Sequence, residues 1–191
     1  MVISTRRYLP KFGVALALTL LPFIAQGQTA NRDESIIIAG SIERKRVTVT
    51  RAELDKLPKH TATIKTNGTE SAYEGVALQS VLDLVGVKFG KALRGDRLLG
   101  FIVVEGAPPP INAPASHSDD SRAVFALPEL DPTFKDHPVL LVTRRDGKPL
   151  TSPDGPFRIV APEDKARSRW IRDVRLIWVL HADYLLSPVV D

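Results

Sequence analysis

The chain contains no cysteine. That one absence removes disulfides, iron–sulfur clusters, thiolate-bound metals and every thiol nucleophile. Aromatic residues are also scarce, at 6% of the chain, so the core is expected to be aliphatic. A lasting excess of positive charge is missing too. The formal net charge is +4, but Arg6, Arg7 and Lys11 lie in the N-terminal leader and no acid does. The remainder therefore carries 26 − 3 = 23 basic against 22 acidic residues. A nucleic-acid partner calls for a net basic face, so that class of function is excluded.

The leader itself has a recognisable form. Arg6, Arg7 and Lys11 precede an apolar stretch, Phe12 to Ala25, and Ala25-Gln26-Gly27 places small residues at the two cleavage-specifying positions. Residues 1–27 read as a secretory signal, too short in their apolar part to span a bilayer as a lasting anchor. Arg6-Arg7 leaves both the general and the twin-arginine export routes open. The expected mature protein is periplasmic or secreted, with a disordered segment at 28–34 and one domain at 35–191.

Within that domain, 35–40 and 46–50 are β-branched runs that predict strands. Thr50-Arg51-Ala52-Glu53 is a capping box opening a short helix that stops before Pro58. Residues 61–66 alternate like a strand. Tyr73-Glu74-Gly75-Val76 leads into Leu78, Val81, Leu82 and Val85 at helical spacing, closed by Gly86. Further strands are expected at 98–104, 122–126 and 139–143, with a helical turn at 127–131 between the last two. The final strand, about 174–181, places Val174, Leu176, Trp178 and Leu180 on one face. Residues 106–121 hold four prolines and no apolar periodicity, and read as an extended surface loop. Strands mixed with short helices, without regular alternation, predict an α+β domain.

No metal-spaced histidine pair, nucleophile elbow or phosphate loop is present. The region richest in chemistry runs from Arg144 to Arg175. Asp146-Gly147 and Gly155-Pro156 mark sharp turns, and 157–161 is an apolar run suited to a buried strand. Lys165, Arg167, Arg169, Arg172 and Arg175 then surround Trp170. Guanidinium groups bind phosphate bidentately, and an indole can pack against a flat ring. A solvated charged loop with Trp170 in the core accounts for the same residues.

Five motifs occur in order: Tyr73-Glu74-Gly75-Val76-Ala77-Leu78, Glu129-Leu130-Asp131-Pro132, Arg145-Asp146-Gly147-Lys148-Pro149-Leu150, Gly155 to Pro162, and Arg169-Trp170-Ile171-Arg172. Together they resemble the oxidoreductase molybdopterin-binding domain of the sulfite oxidase superfamily, and more closely its short, exported members. The resemblance spans about 35–180. It implies a domain that holds the pyranopterin of a molybdenum cofactor, with Gly155, Pro156, Arg158, Arg169 and Trp170 as cofactor contacts; Lys165 of the basic segment is added to them as a sixth. Arg169 stands where the family has lysine. Three departures accompany it. The cysteine that ligates molybdenum, expected near Thr61 to Thr66, is absent. Pro153-Asp154 replaces the histidine before the loop. Asp119-Asp120-Ser121 replaces the usual Asp-Gly-Tyr. No catalytic residue and no metal ligand are assigned. The resemblance implies either a catalytically degenerate molybdopterin-binding protein or a non-catalytic periplasmic binding or sensory module. Its partner would be a pterin, another small anion, or a protein met by the proline-rich loop 107–118.

Overall fold

The computed structural model describes residues 34–40, 46–66, 68–107 and 121–183, without the side chain of residue 66. The leader, most of the 28–34 segment and the proline-rich loop lie outside the described residues.

Among the described residues, ten strands form two five-stranded sheets. In the first, β1 (Ser35–Gly40), β2 (Arg46–Thr50), β5 (Gly100–Gly106), β6 (Arg122–Ala126) and β10 (Val174–His181) lie in the order β2-β1-β10-β5-β6. The last strand is thus the central one, parallel to β1 and antiparallel to β5. In the second, β3 (Lys59–Thr66), β4 (Thr69–Ala77), β7 (Leu140–Arg145) and β8 (Lys148–Pro149) run side by side, and β9 (Arg158–Val160) also pairs with β7. The helices are short: α1 (Arg51–Leu54), α2 (Leu78–Leu84) and α3 (Leu127–Leu130), with single 3-10 turns at Gly90–Ala92 and Gly95–Leu99. This is the mixed-sheet α+β arrangement expected from the sequence.

Local chemistry explains most boundaries. Thr50 caps α1, accepting from the Glu53 N–H at 3.4 Å while Glu53 accepts from the Thr50 N–H at 2.7 Å. Asp146 and Gly147 both have positive φ, 50° and 74°, the backbone of a two-residue hairpin turn that matches strand twist. Gly86, at φ 96°, ends the α2 segment.

The structure corrects the sequence reading in two places. Residues 69–77 form a long strand where only a lead-in to α2 was expected. Gly75 sits at a register shift in this strand, where an added Cβ would lie 2.2 Å from the Leu141 carbonyl oxygen. On β10, a bulge between Val174 and Leu176 separates the four residues expected on one face. Val174, Ile177 and Val179 are buried, whereas Trp178 is 37% exposed.

One core fills the space between the sheets. Ile36, Ile38, Ile102, Phe125 and Ile177 come from the first sheet, and Val76, Leu141, Ile159 and Phe157 from the second and its loops. Leu78, Val81 and Leu82 of α2 join them.

Asp131, fully buried at the end of α3, ties this core to the loop before β5. It accepts from the Gly90 N–H at 2.5 Å and from the Thr133 N–H and hydroxyl at 2.8 and 2.7 Å. Burial alone raises its carboxyl pKa, but the hydrogen bonds from Thr133 and Gly90 together outweigh burial and hold it below the ordinary value. A carboxylate depressed in the folded state adds stability above its unfolded pKa, about 3.9, and loses it as pH falls through the folded value. Urea unfolding measured from pH 7 down to pH 2 should show this acid-side loss, and Asp131→Asn should flatten that part of the profile.

Candidate functional site

The Arg144–Arg175 region folds as a loop laced to the strand that follows it. Asp154 and Gly155 donate their N–H groups to the Thr151 carbonyl at 2.9 and 3.2 Å, closing a tight turn. Gly155 then adopts φ 73°, and a Cβ there would lie 2.5 Å from Asp173 Cα, so only glycine fits. Asp173 N–H donates to the Asp154 carbonyl at 2.8 Å, Val174 to Phe157 at 2.9 Å, and Ile159 to Ile171 at 2.8 Å. These bonds hold β9 against the basic segment and bring Arg158 to Trp170.

An aromatic–guanidinium stack grows from this junction. Tyr73 on β4 meets Trp170 edge-on, with ring centroids 5.6 Å apart and planes at 80°. The Arg167 and Arg158 guanidinium carbons lie 4.7 and 5.7 Å from the Trp170 ring centre. Arg145, which is the cross-strand partner of Tyr73, lies 5.5 Å from the tyrosine ring centre and donates to the Ser71 hydroxyl at 3.1 Å. Such contacts are attractive because a ring face is electronegative. Ala62 of β3 pairs with Tyr73, and Thr63 with Ala72. The strand on which the family's thiolate is expected therefore borders this stack.

Four of the arginines here, Arg158, Arg169, Arg172 and Arg175, are matched to carboxylates of the chain. Arg158 is 7% exposed and donates to Asp154 Oδ1 at 2.8 Å. Burial pushes its pKa down, with Asp154 pulling the other way. Arg172 approaches the same Asp154 oxygen at 3.5 Å. Arg169 forks onto Asp164 with contacts of 2.9 and 2.7 Å, reaches Glu129 at 2.8 Å and covers the Phe125 ring at 4.5 Å. The hydrogen bonds it donates to Asp164, then to Glu129, raise its pKa.

Of the six residues implied as cofactor contacts, three, Gly155, Arg158 and Trp170, are enclosed by the protein, and Arg169 is one-third exposed. Gly155 packs against Asp173 and Arg158 against Asp154. Arg169 is held by Asp164 and Glu129. Trp170 is 5% exposed and donates Nε1–H to the Ala161 carbonyl at 3.1 Å. Pro156 is half-buried. Lys165 is exposed and has no ion-pair partner among the described residues. The polar partners Asp154, Asp164, Glu129, Ser71 and Tyr73 were missed in the sequence reading. The signal for two of them is spacing alone: Asp154 to Arg158 and Asp164 to Arg169 stand one short loop apart.

Beside Arg169, an open cleft of about 350 Å³ is lined by Glu129, Glu163 and Asp164 as well as Lys135 and His137. Lys135 pairs with Glu163 at 3.3 Å. Three carboxylates against two cations, Lys135 and Arg169, make this a poor seat for a phosphate. No cluster of three metal-ligating side chains exists among the described residues. A molybdenum centre held by a soft thiolate does not fit a chain without cysteine.

Neither a protein-family profile nor a curated protein matches this chain. Among solved structures, the sulfane dehydrogenase SoxCD from Paracoccus pantotrophus is similar, with a TM-score of 0.54 and 21% sequence identity. The likeness is one of fold. It covers 78% of this chain but only 38% of the SoxCD chain, so this protein spans well under half the length of its structural neighbour. Among the described residues, no helix is long and apolar enough to cross a membrane.

Proposed function

We propose that this protein is an exported, catalytically degenerate relative of the sulfite-oxidase-type molybdenum oxidoreductases, working as a binding or sensory module in the periplasm. One observation carries the reading: Arg169, at the position implied to hold the cofactor, is neutralised by Asp164 and Glu129. An anion would have to displace two carboxylates to reach it. The absence of cysteine and the enclosure of Trp170 point the same way. The fold shared with a sulfane dehydrogenase and the five ordered motifs support the ancestry. Ligands would meet this loop at its outer edge, where Lys165 and Pro156 remain accessible.

A second reading, pterin held without a metal–thiolate bond, is favoured by Arg158. Its Nε is buried and has no hydrogen-bond partner, which is costly unless an acceptor is supplied. Expression with the native leader, purification from the periplasm of a molybdenum-replete host, and assay for molybdenum and pterin fluorescence separate the readings. A folded protein with neither is the expected result. Pterin alone selects the second reading. Stoichiometric molybdenum with pterin overturns degeneracy.

A further inference from the structure

β3 is the outer strand of the second sheet, bonded to β4 alone. Ala72 on β4 fixes which way the main chain of β3 faces. Ala72 donates its N–H to Asp146 Oδ1 at 2.8 Å and accepts from the Asp146 N–H at 2.8 Å, so both groups point toward β7. Its partner on β3 is Thr63, which makes this a non-hydrogen-bonded pair. The N–H and C=O of Thr63 therefore point away from β4. Bonding alternates along an antiparallel ladder, so Thr61 and Lys65 present theirs on the same side. No other main-chain group among the described residues takes them up. The other outer strands offer less. β2 has five residues and β8 two, and the Val124 carbonyl of β6 accepts from Arg169 at 3.3 Å. β3 runs for eight residues against β4 with no register shift and no proline. Long, regular edges of that kind are ones that proteins otherwise blunt or pair.

We propose that β3 pairs antiparallel with β3 of a second copy, about a two-fold axis at Thr63, in a reversible dimer. The residues of the strand select both partner and register. Outward-bonding residues must meet outward-bonding residues, which leaves a central axis at Ala62 or at Thr63. An axis at Ala62 sets Lys59 against Lys65 of the second copy, and directly opposed like charges are destabilising. An axis at Thr63 removes that clash. Thr63 meets Thr63, Thr61 meets Lys65, and about six main-chain bonds form. Lys59, held by Asp55 and the Leu54 carbonyl at 2.9 and 3.0 Å, stays outside the paired stretch. Lys65 then joins the cross-strand row Thr61–Glu74 of the second copy, which ends in a carboxylate. On the opposite face the half-buried Ala62 meets Ile64, a small apolar side chain beside a large one. Symmetry makes that match twice, the self-complementarity an isologous contact needs. Tyr73 is the β4 neighbour of Ala62, so Ile64 of the second copy borders the Tyr73–Trp170 stack and extends the wall of the candidate site. A contact of about five residues a side belongs among the transient interfaces.

Sedimentation velocity of the protein expressed with its native leader should show a monomer–dimer equilibrium between micromolar and millimolar concentration. Thr63→Pro removes one outward donor, a change that an outer strand tolerates. It should weaken the dimer at least tenfold while circular dichroism shows the fold intact. Thr63→Val keeps the donor and should shift the equilibrium by no more than about twofold. Because the chain has no cysteine, single cysteines read the register. Under mild oxidation Thr63→Cys should join two copies, and Ala62→Cys, on the axis of the other register, should not. These two variants decide the matter if Thr63→Pro does not fold. A monomer at every attainable concentration overturns the proposal, as does a monomer that takes up an added extended peptide along β3. A dimer indifferent to Thr63→Pro, or one that cross-links through Ala62→Cys and not through Thr63→Cys, overturns it as well.

Discussion

Replacing Trp170 by alanine should lower the unfolding free energy by about 3–5 kcal/mol, the range for deleting a large buried ring. The indole is 5% exposed and touches several partners at once: Tyr73 at its edge, Arg158 and Arg167 against the ring, and the Ala161 carbonyl at Nε1. Its removal leaves a cavity and strands a carbonyl acceptor. Trp170→Phe keeps most of the ring and loses the hydrogen bond, so a loss of about 1 kcal/mol is expected. Chemical denaturation of the three proteins tests this. If Trp170→Ala leaves stability unchanged, the indole lines an open groove, and the site is a ligand platform after all.

The second large effect concerns Asp154. Its carboxylate is the close ion-pair partner of Arg158, whose side chain is 9% exposed. Asp154→Ala should destabilise by about 3–5 kcal/mol, because it leaves a buried charge uncompensated. The paired change Asp154→Leu with Arg158→Met should recover much of that loss, since apolar replacement of both partners removes the desolvation penalty along with the attraction. Equilibrium unfolding of Asp154→Ala, of the paired variant and of its two single changes gives the comparison. Full additivity of the single changes would mean that Asp154 and Arg158 act independently despite their 2.8 Å contact.

What was legible in the sequence was mostly local. The Thr50–Glu53 capping box and the Asp146-Gly147 turn depend on residues a few positions apart, and both formed as read. The strand at 69–77 was not legible. Glu70, Ser71, Glu74 and Gly75 have little intrinsic preference for a strand. Pairing with β3 on one side and β7 on the other forms it, and that partnership is not written in any short window. The fate of the basic segment was hidden for the same reason. Five cations around a tryptophan describe an anion site as readily as a set of ion pairs. Only the positions of Asp154, Asp164 and Glu129 decide between them, and Glu129 lies 40 residues from Arg169 in the chain.

The order of the first sheet has a consequence for how the molecule is made. Its middle strand, β10, leaves the ribosome after the other nine described strands, yet it separates β1 from β5. Until residues 174–181 emerge, β1 and β2 form an isolated hairpin with nothing to lean on, and the β5–β6 pair has no neighbour. Contacts between such distant segments slow folding, because the loop must close before they repay it. The growing chain therefore cannot complete its first sheet before β10 is made.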